Sequence, residues 1–400
     1  MRALHTSDWH IGRTFHGHST DDHLAQVLAA IAQAVRDHHV DVVIVAGDVF
    51  DSSTPKAEAF TMLNSAVRAI RSAGAQVVLT SGNHDGPARL GHLAEFAAFG
   101  GVHVLADLRR LAVPVAVPDA HGDVFVYGIP YVHPEFLRGA FEDFDGRTHE
   151  AALSFAMDLI RDDARTRGGE GARYVVASHC FASGEAGGGG REVHETTEST
   201  GRSEERDITR GGLDIVPPGV FQGPAYTALG HIHSRATLRE DLRYSGAPLR
   251  FSFGELSSAK GAWLVDIGAA GLEGVEWLEL PTPRRAVRLT GTLDHLLSPG
   301  VHEEDRDAWV DIVLTDDLRP RDAMRRAQEK FPHAVTLAHR PSTVAAHARE
   351  TYADRTRGKS DAELIEAFLG FTRNGHGASP EEQDLLADSL QALDAKEATR

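Results

Sequence analysis

The feature that most restricts the fold of this sequence is a recurring arrangement in which an apolar, β-like run ends just before metal-ligand-type side chains. The first run, 2–6, is followed by Ser7 and then by Asp8 and His10. Four later runs end in the same way, before Asp48 in GDVFD, before Asn83, His84 and Asp85 in GNHD, before His179, and before His231 and His233 in GHIH. Loops at the carboxyl ends of strands in α/β folds converge on a common crevice. We therefore expect these side chains to lie close together.

The collected side chains are of the types that hold divalent cations. Carboxylates, imidazoles and an amide carbonyl suit hard or borderline ions. An aspartate in the centre can bridge two ions with its two oxygens, so the inventory predicts a dinuclear site. A single GD or GH is only a turn dipeptide. The prediction of a metal site depends on finding ligand-type residues after five strand ends in one chain. Gly47, Gly82 and Gly230 each precede a proposed ligand, where the backbone turns sharply and a metal or phosphate comes close.

The first half of the chain alternates between strand-like and helix-like segments. The strand candidates are 2–6, 41–46, 75–80, 102–105, 124–128 and 173–177. Segments 22–38 and 57–72 carry apolar residues at helical spacing. This rhythm predicts an α/β layered domain with helices packed over a sheet.

The second half of the chain divides into smaller parts. Segment 184–212 is nearly free of apolar residues and reads as an exposed loop; a tolerated insertion is favoured over a substrate-facing or partner-facing flap. Strand candidates 225–229, 242–245, 261–267 and 275–280 follow, and Pro281 and Pro283 mark a boundary. We predict a first domain over 1–281, a small α+β module over 282–345, and a linker with a helical tail over 346–400.

Further elements are predicted inside these later parts. The module contains strands 286–290, 309–314 and 334–337 and a helix over 319–330, and the tail has a linker at 352–358 before helices 362–371 and 380–393. Such a short helix pair buries little by itself and is expected to dock on another surface.

Bulk properties exclude some classes of protein. A formal net charge of -17 argues against coating nucleic acid by bulk electrostatics. It does not exclude a nuclease, because bound divalent cations invert the local charge. A single cysteine, Cys180, excludes an internal disulfide and fits a reducing cytoplasm. The sequence contains no apolar run of membrane-spanning length and no recognisable signal peptide.

The motifs in their order resemble those of a known superfamily. D-x-H, GD, GNHD, a single H and GHIH are similar to the signature of the calcineurin-like metallophosphoesterases. More narrowly, HTSDWHIG, VDVVIVAGDVFD, SGNHD, TALGHIH and YSGAPLRFSFGE look like the SbcD family of bacterial nuclease subunits. Ala247 and Arg250, and Cys180 with Phe181 after His179, depart from that family's usual wording. The specific motifs cover 1–267, and the module and tail match by layout only.

The resemblance implies a fold and a set of site residues. The fold would be a β-sandwich flanked by helices, with a small α+β cap and a helical tail. One metal would be held by Asp8, His10, Asp48 and His233, and the other by Asp48, Asn83, His179 and His231. The family uses manganese most readily. His84 would be the general acid, and Asp85 would orient it.

The resemblance also implies an activity and partners. The expected function is a manganese-dependent DNA nuclease, an exonuclease on duplex ends and an endonuclease on single strands or hairpins, in DNA repair, recombination and replication. A homodimer would work with an SbcC-like SMC-family ATPase in the cytoplasm. The module would contact DNA, and the tail from about Asp361 would dock on the base of the ATPase coiled coil.

Two other functions share these residues. A phosphatase or cyclic-nucleotide phosphodiesterase would use the same ligands on a small substrate, although it needs neither the extra domain nor the tail. A DNA-end-binding subunit with a silent site is disfavoured by the complete ligand set with His84.

Several neighbouring residues receive weaker predictions. His5 is expected to be packed or hydrogen-bonded inside the first strand. Trp9 would stack on a base or wall the site. Arg13, Lys56 and Arg89 would contact DNA phosphates or be solvated surface residues.

Overall fold

The computed structural model describes residues 1–183, 215–341, 358–373 and 375–397. Two compact units are present, Met1–Pro283 and Arg284–Arg400. The predicted loop 184–212 lies outside the described residues, as does all but the last residue of the predicted linker 352–358. The separation of the second unit into a module and a tail stays a prediction.

The strands form three main sheets and one small hairpin. They are β1 (Arg2–Thr6), β2 (Thr14–Phe15), β3 (His18–Ser19), β4 (Val42–Ala46), β5 (Gln76–Thr80), β6 (Val102–Leu105), β7 (Val115–Asp119), β8 (Gly122–Ile129), β9 (Tyr174–His179), β10 (Tyr226–Gly230), β11 (Ala236–Arg239), β12 (Leu242–Tyr244), β13 (Gly261–Gly268), β14 (Gly271–Glu279), β15 (Ala286–Gly291), β16 (Trp309–Leu314) and β17 (Ala334–His339).

The described α-helices are, in chain order, α1 (Asp21–His38), α2 (Ala57–Ala73), α3 (Pro87–Leu90), α4 (Ala94–Phe99), α5 (Pro134–Ala140), α6 (His149–Gly168), α7 (Leu293–Leu297), α8 (Ala323–Lys330), α9 (Asp361–Thr372) and α10 (Pro380–Glu397).

Two six-stranded sheets build the first unit. Their orders are β14-β13-β1-β4-β5-β6 and β11-β12-β10-β9-β8-β7. In the first sheet β1, β4, β5 and β6 are parallel, whereas β13 and β14 are antiparallel additions. In the second sheet β8, β9, β10 and β12 are parallel. Both sheets therefore have parallel centres; the first has antiparallel strands on the β13–β14 side only, and the second has antiparallel pairs at both edges.

The sheets stack face to face, and helices cover their outer faces. Strand β4 shows why, because all five of its residues are apolar and buried. Ile44 packs between the sheets with Val126 and Ala177. Val43 and Val45 face the other way, against apolar residues of α1 and α2. A strand buried on both faces reads as a continuous apolar run, and the result is a four-layer α/β/β/α sandwich with α6 on the second sheet. The layered α/β prediction is confirmed.

The stacking brings the carboxyl ends of strands from both sheets to one edge. Strand β4 contacts β9 and β10 across the sandwich. At the end of β4, the Ala46 carbonyl accepts a hydrogen bond from His179 Nδ1 over 2.9 Å. The loops after β1, β4, β5, β9 and β10 therefore meet there.

The second unit contains a three-stranded parallel sheet, β15-β16-β17. Helices α7 and α8 share an apolar core with it that includes Leu289, Ile312 and Phe331. Helix α9 begins with a capping box between Ser360 and Glu363, and Arg373 pairs with Glu382 of α10 at 2.6 Å. Of the described residues in α9 and α10, none is fully buried.

The structure adds elements that the sequence analysis did not predict. Helix α6 spans 20 residues and buries Leu153, Met157, Ile160 and Ala164 on one face, at helical spacing. Strands β7 and β11 and helices α5 and α7 were also not predicted. Helix α8 begins at Ala323 rather than at residue 319, because Pro320 and the left-handed Asp322 interrupt the backbone before it.

The described helices include none whose length and apolar character would let it span a bilayer.

Candidate metal centre

The loops after β1 and β4 form the floor of the site. Asp8 N donates to the Gly47 carbonyl over 3.1 Å, and His10 N donates to the Asp48 carbonyl over 3.0 Å. Asp8, His10 and Asp48 all adopt left-handed φ values, of 53°, 44° and 48°, and His231 has a φ of 105°. Left-handed conformations cost energy for residues other than glycine and concentrate at functional sites. Four proposed ligands are therefore held in backbone states that the surrounding structure must impose.

Asp48 lies in the centre of the cluster. Its Oδ2 is 3.6 Å from His10 Nε2 and 3.4 Å from His179 Nε2. Its Oδ1 accepts a hydrogen bond from the backbone N–H of His84 over 2.9 Å. This carboxylate thus faces side chains from both sheets, as a bridging ligand must.

The first predicted ligand group is brought together. His10 Nε2 lies 3.0 Å from His233 Nε2. Candidate ligand atoms of Asp8, His10 and His233 all lie within 4.8 Å of one another. Asp8 Oδ1 also accepts from His231 N over 3.0 Å, which ties the loop after β10 to the loop after β1.

The second predicted group converges on the amide oxygen of Asn83. This oxygen is 3.1 Å from His179 Nε2 and 3.1 Å from His231 Nδ1. Asn83 is exposed and His231 is half-buried, whereas His179 is fully buried. The cluster consequently opens to solvent on the Asn83 side, where a substrate can approach.

The ring hydrogen bonds test whether these histidines suit a cation. His179 Nδ1 faces the Ala46 carbonyl, which can only accept, so Nδ1 carries the hydrogen. His233 Nδ1 faces Glu255 Oε1 at 3.4 Å, and His10 Nδ1 faces Asp51 Oδ1 at 3.2 Å. In their neutral forms the His179 and His233 rings present an Nε2 lone pair to the cluster, whereas His10 Nδ1 makes no hydrogen bond within the described residues. Metal-binding histidines are oriented in this way by acceptors behind the ring, and the donor set fits divalent cations.

The charges around Asp48 are strongly coupled. Burial opposes its ionisation, but His179 and His10 hold the pKa of Asp48 well below its usual range. Burial would lower the pKa of His179, yet the Asp48 carboxylate raises it to about 9. Burial and the charge of His179 lower the pKa of His231 to about 3. Asp48 and His179 thus each stabilise the charged form of the other.

His84 lies at the edge of the cluster with its side chain 22% exposed. Its ring meets that of His10 edge-on, with ring centroids 4.8 Å apart. His84 Nδ1 donates to the Asp51 carbonyl over 3.0 Å, because a carbonyl can only accept. This bond fixes the ring and leaves Nε2 for proton exchange.

The predicted role of Asp85 is corrected by its contacts. Its carboxylate accepts backbone N–H bonds from Gly82, Val49 and Phe50, over 2.8, 3.1 and 2.8 Å. Burial and the nearby Asp48 charge raise the pKa of Asp85 to about 6. Asp85 therefore holds the loops after β4 and β5 together, while Asp51 orients the His84 ring.

Asp51 and Tyr131 border the cluster but were not predicted from the sequence as site residues. The Asp51 carboxylate also accepts a hydrogen bond from Arg13 over 3.4 Å. Asp51 is the second aspartate of the GDVFD motif, and this position could have marked it in the sequence. The Tyr131 ring stacks on His231 at 6.3 Å and meets His179 at 6.2 Å. Tyr131 follows strand β8, which carries no metal-ligand residue at its end, so the strand-end pattern did not mark it.

Burial and contacts decide the predictions for Trp9 and His5, whereas DNA contact by the three basic residues stays a prediction. Trp9 is fully buried and donates to Thr6 Oγ1 over 3.2 Å, so it belongs to the core and cannot stack on a base. His5 is hydrogen-bonded to Tyr226 and Leu229, as predicted. Arg13 lies over the Phe251 ring at 5.3 Å, beside the site, whereas Lys56 is exposed and Arg89 bonds to the Ser53 carbonyl.

At the three predicted glycines the backbone closely approaches other protein groups, and the approach of a metal or phosphate there stays a prediction. Gly47 has a φ of 81°, and a Cβ there would overlap the His179 ring. A Cβ on Gly82 would overlap the Asp48 carboxylate, and one on Gly230 the Ala46 carbonyl. The strand ends thus pack directly on the ligands.

Comparisons with known proteins agree with this geometry. Residues 1–187 match the calcineurin-like phosphoesterase family, and residues 283–372 match the type 5 capsule protein repressor C-terminal domain. The chain is 29% identical over 376 residues to the SbcD subunit of the nuclease SbcCD of Escherichia coli K12, covering 88% of this chain and 90% of that protein. The same values hold for the Escherichia coli O157:H7 protein.

Similarity to solved structures is weaker. The crystal structure of TT1561 of Thermus thermophilus is 13% identical, with a TM-score of 0.37, over 69% of this chain and 98% of that one.

Residues 1–187 are similar to the calcineurin-like phosphoesterases, and groups of side chains that could hold a divalent metal ion lie at the shared edge of the two sheets. The chain is also similar to the SbcD subunit of the nuclease SbcCD, along nearly the whole length of both chains.

The packing of Gly47 yields a test of the centre. We expect Gly47→Ala to lower metal affinity and thermal stability together, because its Cβ would displace the His179 ring and its φ disfavours alanine. Metal stoichiometry and thermal unfolding measure the two effects. Gly74→Ala is the matched control, since Gly74 has a φ of 113° but no atom within 4 Å of an added Cβ, and only a strain of about 1 kcal/mol is expected. A Gly47→Ala protein that binds metal like the wild type contradicts this account.

Proposed function

We propose that this chain is a metal-dependent DNA nuclease that acts on duplex ends and on single strands or hairpins. The observation that carries the proposal is the convergence of carboxylate, amide and imidazole ligands around Asp48, in a chain similar to the SbcD subunit of the nuclease SbcCD over 88% of its length. We further propose Mn²⁺ as the ion and the cytoplasm as the compartment, with roles in DNA repair, recombination and replication. The donor set has no thiolate, which is consistent with Mn²⁺.

The proposed ligands divide into two groups that share Asp48. Asp8, His10 and His233 would complete one metal site, and Asn83, His179 and His231 would complete the other. When bound, two divalent cations supply charge neutralisation at the scissile phosphate and lower the pKa of the attacking water. Asn83 and His231 border the open side, so the phosphate would enter there.

His84 is the proposed general acid. Its Nδ1 hydrogen is held by the Asp51 carbonyl, so Nε2 is the atom that would donate a proton to the leaving sugar oxygen. The Asp48 carboxylate accepts from the His84 backbone, which couples the position of the acid to the metal ligands. The backbone carbonyl of Asp51 therefore positions the His84 ring, and the Asp51 carboxylate lies 3.2 Å from His10 Nδ1.

The His84 proposal is tested by His84→Gln. We expect cleavage of linear duplex DNA with Mn²⁺ to fall by about 10²–10⁴-fold while metal stoichiometry stays unchanged, because general acid catalysis contributes about that much. The assay is run with and without the SbcC-like ATPase. His121→Gln, at an exposed loop position, is the control and should keep full activity.

Other outcomes separate this function from its competitors. Turnover of a small phosphodiester with no DNA cleavage would indicate a small-substrate phosphodiesterase. Binding of DNA ends without cleavage of either substrate by the metal-loaded protein would indicate a non-catalytic subunit. Full DNA cleavage by His84→Gln would remove His84 from the mechanism.

We propose that α9 and α10 dock on the coiled-coil base of an SbcC-like SMC-family ATPase, and that the module before them contacts DNA. The relative's name describes it as one subunit of SbcCD. In α9, Phe368 and Phe371 lie three residues apart and remain 64% and 63% exposed. Large apolar side chains that stay exposed on one helix face are typical of a partner surface.

The docking surface is tested in the full chain. We expect Phe368→Glu with Phe371→Glu to weaken co-purification with the ATPase at least ten-fold, since buried aromatic anchors dominate interface energies at about 2 kcal/mol or more each. Phe136→Glu, at a phenylalanine 67% exposed in the first unit, is the control. Unchanged ATPase binding by the double variant would place the docking surface elsewhere.

We propose that the chain forms a homodimer through the segment around α4. Leu93, Phe96 and Phe99 are 59%, 70% and 90% exposed, and they follow one another at three-residue spacing. A second copy of the same apolar segment is self-complementary, as a two-fold interface requires. In the assembly with the ATPase this gives a heterotetramer.

Light scattering of the full chain tests the dimer. We expect Phe96→Asp with Phe99→Asp to convert the dimer to a monomer, because each aspartate would be buried without a partner in the interface. Phe136→Asp should leave the mass unchanged. A double variant that remains a dimer would exclude this segment as the interface.

A further inference from the structure

A buried ion pair lies behind the proposed ligand His233. Lys260 Nζ donates to Glu255 Oε2 over 2.5 Å, and the two residues are only 5% and 7% exposed. Removing two charges from water is expensive, and burying an ion pair is often no better for stability than burying apolar groups of the same size. The contacts of the pair with its surroundings therefore matter more than the pairing itself.

The ion pair holds His233 at two points. Lys260 Nζ donates to the His233 carbonyl over 2.9 Å, which fixes the backbone. Glu255 Oε1 lies 3.4 Å from His233 Nδ1, which fixes the ring. The same oxygen accepts from Phe251 N and Ser252 Oγ, each at 3.3 Å, so the carboxylate cannot swing away from the histidine.

The ring hydrogen bond sets which nitrogen faces the metal cluster. Glu255 Oε2 accepts from Lys260 Nζ, and Glu255 Oε1 accepts from Phe251 N and Ser252 Oγ, so both carboxylate oxygens act as acceptors. His233 Nδ1 faces Oε1 and therefore carries the hydrogen. The Nε2 lone pair then faces His10 Nε2, 3.0 Å away.

Among the proposed ligands, the ion pair contacts His233, which belongs to only one of the two ligand groups. In the other group, His179 is oriented by the backbone carbonyl of Ala46, and His231 faces Asn83 with Nδ1. The orientation of these two rings thus comes from groups other than Glu255 and Lys260. Loss of the pair should consequently affect the two metal sites unequally.

We propose that Glu255 and Lys260 are positioning residues that set the tautomer and orientation of His233, and so determine the affinity of the metal site that contains His10 and His233. The inference rests on the proposed dinuclear site and assigns a task to residues outside its ligand set. Neither residue touches the reacting atoms.

The chain offers a matched control for a purely structural ion pair. Arg173 and Asp119 are 7% and 9% exposed in their side chains and lie 2.7 Å apart, and Asp119 also binds the amino terminus. Their hydrogen-bond partners, which include Gly122 and Gly268, belong to a different part of the unit from the metal ligands. Asp119→Asn thus neutralises a half-buried, ion-paired acid without touching the site.

The test measures Mn²⁺ binding by the electron paramagnetic resonance signal of free Mn²⁺ during titration of the full-length protein. We expect the wild type and Asp119→Asn each to bind two ions, and the variant to have the wild-type affinity at each of the two sites. We expect Glu255→Gln to bind one ion as the wild type does and the other about 10–100-fold more weakly, the usual effect of losing the group that orients a metal-binding histidine.

A second variant keeps the test decisive if the buried lysine left by Glu255→Gln prevents folding. Glu255→Asp retains the charge opposite Lys260 but draws the carboxylate back by one methylene, and it should also weaken one site. The inference would be overturned if a folded Glu255→Asp or Glu255→Gln protein bound both Mn²⁺ ions with wild-type affinity. It would also be overturned if affinity fell equally at both sites, or if Asp119→Asn lost as much affinity as the Glu255 variants. A wild-type protein that binds fewer than two ions would instead refute the proposed dinuclear site.

Discussion

The candidate site depends on one buried carboxylate. Asp48 is 2% exposed, faces imidazoles from both sheets, and receives the backbone N–H of His84. A buried charge is tolerated only when it is paired and hydrogen-bonded, so the surrounding groups are constrained as strongly as Asp48 itself. This arrangement requires an unfavourable left-handed backbone at Asp8, His10 and Asp48. It also requires a glycine at position 82, because a Cβ there would overlap the Asp48 carboxylate. The metal ligands, the proposed acid and the strand ends therefore form a single electrostatic unit.

The sandwich supplies the stiffness that this unit needs. Asp8, His10, Asp48 and Asn83 come from the first sheet, and His179, His231 and His233 come from the second. Neither sheet holds a complete ligand set, so the distance between the sheets determines the distance between ligands. The apolar layer between them, with Ile44, Val126 and Ala177, is close-packed and resists change. Behind the ligands, Asp51, Asp85 and the Glu255–Lys260 pair each fix a loop or a ring, which is where binding geometry is refined.

Much of this could be predicted because the relevant signals are local. An apolar run such as VVIVA that ends at a glycine and an aspartate predicts both a buried strand and a ligand. The seven proposed ligands lie at the strand ends that this pattern indicated.

Other features depend on the three-dimensional arrangement. Asp85 follows His84 directly, but its carboxylate turns to backbone amides of the loop after β4, and the carbonyl that orients His84 belongs to Asp51. Trp9 stands between two ligands in sequence, yet the left-handed residues on either side turn it into the core. Helix α6 was missed although its apolar spacing was present, because the many charged residues on its other face make the segment resemble a polar connection.

The way the sheets interlock along the chain has a consequence for biosynthesis. His231 hydrogen-bonds to Asp8 across 223 positions, and β1 acquires β13 as a neighbour only after residue 261 has been made. Non-local pairings of this kind form late, after the loop between them has been closed. A ribosome that has released only the first half of the chain therefore presents a metal centre lacking the GHIH histidines. Because the proposed ligand set is complete only after both sheets have formed, fragments from interrupted translation are not expected to cut nucleic acid.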